Sequence, residues 1–166
     1  MHFTSWERTD RDNPVLLAED GPERLATFHA QSAEVGGEQW VLSETTATSA
    51  TGAVYRLDGR LGRDKRLSAT LDGREFTFIN EASSDWVIVD AADAKVAQFS
   101  GKNSGVRRAI LEFDTTPENA HLRPADVAAL SWFTRLILEE KTSGSAVAII
   151  STLVLASLVA VVSFLF

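Results

Sequence analysis

A chain of 166 residues, 45% of them hydrophobic, is long enough for one domain with its own core and short for two. The absence of cysteine excludes disulfide bonds, thiol nucleophiles and cysteine-ligated zinc. The net charge is −7, and residues 1–44 carry nine acids against three bases, which argues against nucleic acid as a partner because phosphate binding needs clustered cations.

Short apolar or alternating runs occupy the chain from Phe3 to Phe113, and turn-forming pairs separate them. The runs cover residues 14–19, 24–29, 39–43, 54–57, 66–71, 75–79, 86–90, 95–99 and 107–113. Asp72-Gly73 is the strongest hairpin signal, because tight turns between strands require positive φ angles. Nine or more strands in about 110 residues predict a mainly β domain over residues 1–114, closed as a barrel or folded as a sandwich of short antiparallel strands.

A basic cluster surrounds the Asp58-Gly59 turn. It comprises Arg56, Arg60, Arg63, Lys65, Arg66 and Arg74. If this loop points toward a membrane, each cation adds about 1 kcal/mol of attraction to anionic lipid headgroups, so the cluster is our candidate headgroup-binding site. Three interspersed acids weaken that interpretation, and charge protection of exposed strand edges explains the same residues.

No catalytic, cofactor or metal site emerges from the remaining residues. His2, His29 and His121 lack a second ligand or a nucleophile at a recurrent spacing. The pairs Asp10/Asp12 and Asp90/Asp93 do not fit a calcium loop and are typical of solvated turns. Residues 101–105 lack the spacing of a phosphate loop and are interpreted as a hairpin turn. The four tryptophans are predicted to pack in the core.

A polar linker after Asp114 leads to Pro124, where a helical pattern begins. Proline suits the first helical turn, and Asp126 lies near the positive end of the helix dipole. Residues 125–138 contain only Asp126 and Arg135 as ionisable groups, so the helix is apolar on nearly every face and must be buried. We therefore assign residues 115–141 to the β domain as a linker and a buried helix.

The last 22 residues, 145–166, contain no charged side chain. As a helix they span about 33 Å, enough to cross a hydrocarbon core of about 30 Å. Ser145, Ile150, Leu155, Val159 and Phe164 mark this predicted membrane-spanning segment, with burial in a soluble fold as the alternative. Cations precede the segment and no signal peptide is visible, which predicts a single-pass, tail-anchored protein of the cell membrane with a cytoplasmic N-terminal domain. Arginine outnumbers lysine twelve to four, which favours a bacterial source.

The chain resembles the superfamily of tubby C-terminal domains, LURP-one-related proteins and phospholipid scramblases. The resemblance rests on LLAEDGPERLATFHA (16–30), WVIVDAADAKVAQFSGKNSG (86–105), and ILEFD (110–114) followed by PADVAALSWFTRLIL (124–138). It covers residues 1 to about 140. It implies a twelve-stranded barrel around a central hydrophobic helix, with residues 125–138 as that helix, and binding of phosphoinositide headgroups at membranes.

Two functions remain open. The first is a non-catalytic membrane-tethered β domain that binds a lipid headgroup or a partner protein at the bilayer. The second is an accessory single-pass subunit of a transport, secretion or respiratory complex, favoured by small residues in the tail that permit close helix packing. An enzyme or scramblase is disfavoured, because no nucleophile, base and orienting group can be named together and one span cannot form a lipid path.

Overall fold

The computed structural model describes residues 1–7, 9–10, 12–82, 84–101, 110–114 and 122–140. Twelve strands and one helix, α1 (124–140), lie within these ranges. The strands are β1 (Phe3–Glu7), β2 (Val15–Ala18), β3 (Arg24–Phe28), β4 (Ser32–Val35), β5 (Glu38–Ser43), β6 (Thr46–Ser49), β7 (Val54–Asp58), β8 (Arg66–Leu71), β9 (Arg74–Asn80), β10 (Asp85–Asp90), β11 (Lys95–Ser100) and β12 (Leu111–Phe113).

The strands form one closed antiparallel barrel. Each strand pairs with the next along the chain, and β1 pairs with β12 through Phe3 opposite Glu112 and Thr4 opposite Leu111. Tight turns of the predicted kind connect several pairs: Asp72 and Gly73 have φ angles of 50° and 82°, as a two-residue hairpin turn between β8 and β9 requires. Closure leaves every strand paired on both sides, so the barrel has no exposed strand edge.

Side chains alternate between the inside and the outside of the barrel. In β7, Tyr55 and Leu57 are buried whereas Val54, Arg56 and Asp58 are exposed, which is the period of two that a strand imposes. Inward-facing aliphatic and aromatic side chains from the other strands join one contiguous core. That core includes Trp6, Trp40, Trp86 and Trp132, each no more than 5% exposed, which confirms their predicted burial.

α1 runs through the inside of the barrel. Residues 126–134 are all buried, so the helix has no solvent-facing side over two and a half turns. Phe28 of β3 stacks on Trp132, and Phe78 of β9 packs edge-on against Phe133. Because β3 and β9 are six strands apart in a ring of twelve, two adjacent helical residues contact opposite walls. The helix therefore fills the space that the strands enclose.

The start of α1 follows a recognisable capping pattern. Pro124 occupies the first helical position, where its missing N–H has no intrahelical acceptor to reach. The backbone N–H of Arg123 donates to the Asp126 carboxylate over 2.7 Å, which satisfies an otherwise unpaired amide in the manner of a capping box. The sequence thus specifies where the helix begins as well as which faces it buries.

The predicted fold class is confirmed at the level of a mainly β barrel, and barrel rather than sandwich closure is now established. Nine predicted runs correspond to strands within a few residues, although 107–109 of the last run lie outside the described ranges. The three strands that our runs omitted are β1, β4 and β6. Residues 125–138, predicted to be helical and buried, lie within α1.

The predicted membrane-spanning segment, residues 145–166, lies outside the described residues. In the part of the chain that is described, no helix has both the length and the apolar character needed to cross a bilayer. The membrane helix therefore stays a prediction from the sequence.

Candidate headgroup-binding surface

The two ends of the barrel differ in how they meet α1. At the N end, where α1 begins, Arg123 reaches the β8–β9 turn with its guanidinium 2.9 Å from the Asp72 carboxylate. At the C end, where α1 reaches residue 140, a Cβ atom added to Gly62 would lie 3.2 Å from Cγ of Glu140. The loop 59–65 between β7 and β8 therefore touches the last described turn of the helix.

Arg74 does not belong with the other five predicted headgroup-binding residues. It begins β9 at the N end of the barrel, and its guanidinium forms an ion pair with the fully buried carboxylate of Asp126. The six residues of β8 separate it from the loop 59–65, a distance of about 20 Å along the strand. The structure therefore does not bring Arg74 together with the other five predicted residues, because β8 separates the two turns and carries them to opposite ends of the barrel.

Arg56 and Arg60 lie on the correct side but are paired with acids. Arg56 projects outward from β7, and its Nε lies 2.8 Å from Oδ2 of Asp58. Arg60 binds Asp64 through its Nε, Nη2 and backbone N–H, at 3.1, 2.8 and 2.9 Å. These hydrogen bonds from Arg60 hold the pKa of Asp64 below its usual value. Both pairs are locally neutral, so they contribute little to the attraction of an anion.

Three cations remain, which we call the basic trio: Arg63, Lys65 and Arg66. All three side chains are exposed, and none forms an ion pair within the described part of the chain. Arg63 nevertheless lies near enough to Asp64 to contribute, after Arg60, to the lowered pKa of that carboxyl. Charge protection of strand edges does not account for them, since β7 and β8 are paired on both sides in the closed barrel.

The loop 59–65, which carries Arg63 and Lys65 and leads into Arg66 of β8, is held by backbone hydrogen bonds. Arg63 N–H and Asp64 N–H both donate to the Arg60 carbonyl, which forms a single helical turn. Gly59 precedes this turn with a φ of 120°, and a Cβ atom added there would lie 2.5 Å from Cδ2 of Leu67, so a larger residue would be strained at this position. The Lys65 carbonyl accepts a hydrogen bond of 2.8 Å from the backbone N–H of Asn80 in β9. These contacts fix the backbone on which Arg63, Lys65 and Arg66 stand.

Sequence reasoning missed a buried polar network at the N end. Asp126 is 0% exposed and is bound by both Arg74 and Arg123, and Arg123 also binds Asp72. Its hydrogen bonds to Asp126 and Asp72 raise the pKa of Arg123, so the charge is permanent. The signal was present in the sequence: proline at the first helical position followed two residues later by an acid indicates a capped helix start.

The other residues considered for chemistry are engaged in turns. Asp10 accepts hydrogen bonds from Asp12 N–H and the Asn13 amide, and Asp90 accepts from Ala92 N–H and Ala94 N–H. The His29 ring contacts the Asn13 side chain, whereas His121 and residues 102–105 lie outside the described ranges. Among the described residues, no three metal-ligating side chains converge.

A groove of about 400 Å³ lies beside β10 and β11. Glu81, Asp85 and Glu112 contribute carboxylates to it, and the described lining contains no lysine or arginine. The described lining of the groove is therefore acidic.

Comparisons of the chain with family models, curated proteins and solved structures found no match.

Proposed function

We propose that this protein is a non-catalytic module, tethered to the cytoplasmic face of a membrane by residues 145–166, whose barrel binds anionic lipid headgroups through the basic trio. The observation that carries the proposal is the position of the trio. Arg63 and Lys65 lie in the loop 59–65, which contacts Glu140, and Arg66 follows as the first residue of β8; none of the three forms an ion pair with a described residue. They lie at the end of the barrel where α1 reaches residue 140, five residues before the uncharged tail.

The length of the connection limits how far the trio can stand from the bilayer. Five residue steps separate residue 140 from residue 145, and at 3.3–3.6 Å per residue they cover at most about 18 Å. Electrostatic attraction falls off over about 8 Å at physiological ionic strength. A tail embedded in lipid would therefore hold residue 140, and with it the loop 59–65, within a little over two screening lengths of the membrane surface.

The size of the attraction suits an orienting role. Three cations near an anionic leaflet contribute about 3 kcal/mol in total. That affinity is too weak to recruit a free protein, but a tether of a few residues raises the effective headgroup concentration into the millimolar range. The tail would supply attachment, and the trio would select which end of the barrel faces the membrane.

The resemblance to tubby-like domains is part of this proposal. That superfamily is expected to have a twelve-stranded barrel around a hydrophobic helix, and a closed barrel of twelve strands with α1 inside it supports the assignment. The resemblance would place the protein in a class that works by binding lipid at membranes. The sequence motifs behind the resemblance are loose patterns of polarity, so the resemblance rests on the fold. Because a shared fold does not identify a ligand, the class of ligand follows from the charge of the basic trio alone.

Fluorescence quenching of labels placed at the two ends of strand β10 tests the proposal. The chain has no native cysteine, so Ala82→Cys at the C end and Ala92→Cys at the N end each provide a single labelling site. Both positions are exposed, and β10 separates them. The full-length labelled proteins are reconstituted into phosphatidylcholine vesicles, with or without phosphatidylserine, that carry a headgroup-attached quencher.

We expect strong quenching at position 82 and weak quenching at position 92 in vesicles that contain phosphatidylserine. The difference should shrink in neutral vesicles, because the trio then lacks an anionic partner. Equal quenching at both positions, or quenching that is the same with and without phosphatidylserine, would contradict headgroup binding. Either result would favour the accessory-subunit alternative, in which a protein partner positions the barrel.

A further inference from the structure

The N end of α1 is attached to the barrel by charged side chains. Asp126 pairs with Arg74 of β9 and with Arg123, whose Nη2 lies 3.1 Å from Oδ1 of the carboxylate. Arg123 continues to Asp72 in the β8–β9 turn, 2.9 Å away. We call these four residues the N-end network. It links the first turn of the helix to one hairpin of the wall.

The rest of the helix meets the barrel mainly through apolar contacts. Trp132 and Phe133 pack on aromatic rings of the wall. Polar contacts beyond the first turn include the hydroxyl pair of Ser131 and Thr4 at 2.8 Å and the guanidinium of Arg135, which lies 5.3 Å from the centroid of the Trp6 ring. Hydrophobic burial is roughly proportional to area and has no direction. Because most of these contacts are apolar, they favour burial of the helix more strongly than one particular depth along the barrel.

We propose that the N-end network is a register lock that sets the depth of α1 in the barrel. A shift of one turn moves the helix by about 5.4 Å and would separate Asp126 from Arg74 and Arg123 from Asp72, whereas the contact between Arg123 and Asp126 lies within the helix start and would move with it. The buried carboxylate would then lose the cation that the barrel wall supplies, and removal of one partner from a buried ion pair is costly. Buried ion pairs often add specificity rather than net stability, and selection of one register is their best-attested use.

The depth of α1 has a consequence that rests on the proposed function. The C-terminal end of the helix leads into the short connection to the tail, so its depth determines how far the loop 59–65 stands from the bilayer. A one-turn shift of about 5.4 Å is comparable with the screening length of about 8 Å. The lock would keep the basic trio within reach of headgroups.

Distances between spin labels test the lock in the full-length chain. Glu140→Cys marks the end of α1, and Glu34→Cys marks the outer face of β4; both side chains are exposed. Arg74→Leu with Asp126→Leu removes the network and retains apolar volume. Asp126→Asn removes the charge while keeping an acceptor for the Arg123 amide. Asp93→Asn, an acid-to-amide change in an exposed turn at the same end, is the matched control.

We expect one narrow distance distribution for the native chain and the Asp93→Asn control, and a broadened or second distance, displaced by about 5 Å, in the two network variants. If the leucine pair fails to fold, Asp126→Asn decides the question. A single native distance in Asp126→Asn would overturn the lock. Because the distances are measured in detergent without anionic lipid, a failure of headgroup binding leaves this result unaffected.

Discussion

Replacing Phe133 with alanine is expected to lower the free energy of unfolding by about 3–5 kcal/mol. Phe133 is fully buried, and its ring lies 6.4 Å from that of Phe78 and 5.2 Å from that of Trp132, measured between centroids. Truncation removes the transfer free energy of the ring and leaves a cavity that closely packed walls cannot fill. Urea unfolding of the full-length protein in mild detergent, followed by tryptophan fluorescence, measures the loss.

Val41→Ala is the control for this experiment. Val41 is 68% exposed on the outer face of β5, so its truncation should change stability by less than about 0.5 kcal/mol. A loss below about 1 kcal/mol for Phe133→Ala would mean that the side chain does not occupy the centre of the core. The placement of α1 inside the barrel would then be wrong.

Neutralising the basic trio is expected to have the largest effect on membrane docking. Arg63→Gln, Lys65→Gln and Arg66→Gln together remove about 3 kcal/mol of attraction, which is a roughly hundredfold shift toward undocked orientations. In vesicles that contain phosphatidylserine, quenching of a label at position 82 should fall to the level seen at position 92. The protein should remain with the vesicles, because the tail is unchanged.

The matched control for the trio removes a neutral pair from the same loop. Arg60→Gln with Asp64→Asn deletes the ion pair of 2.8 Å and leaves the net charge as it was. Docking of this control should stay within about threefold of the native value, since exposed pairs contribute little. An effect as large as that of the trio would show that the loop acts through its shape rather than through unpaired charge.

The strands that the sequence predicts well are those in which side-chain size alternates strongly or a turn has a distinctive chemistry. β8 and the Asp72-Gly73 hairpin were predicted because both signals coincide there. β4 and β6 read SAEV and TATS, and their buried positions include the small Ala33 and Ala47. Small inward residues leave room for α1, but they carry almost no periodic signal, so pairing with neighbouring strands decides these segments.

The sequence reveals which cations belong to the candidate site but not which of them are paired with acids. The excess of cations between residues 56 and 74 is visible in the sequence, whereas their division into paired and unpaired members is not. Arg60 with Asp64 could be anticipated from their spacing around a helical turn, but the separation of Arg74 required knowledge that β8 runs the length of the barrel. The contact of Gly62 with Glu140 depends on closure of the whole barrel, so no local sequence pattern around either residue predicts it.

The central claim is that α1 fills the interior of the barrel and that residues 145–166 span a membrane rather than pack in the core. Expressing residues 1–143 without the tail tests this claim most directly. We predict a product that stays in aqueous buffer without detergent and unfolds in one cooperative transition, because α1 already fills the interior. An aggregated or molten product that is rescued in detergent-free buffer by restoring the tail would contradict the account, since the tail would then belong to the core.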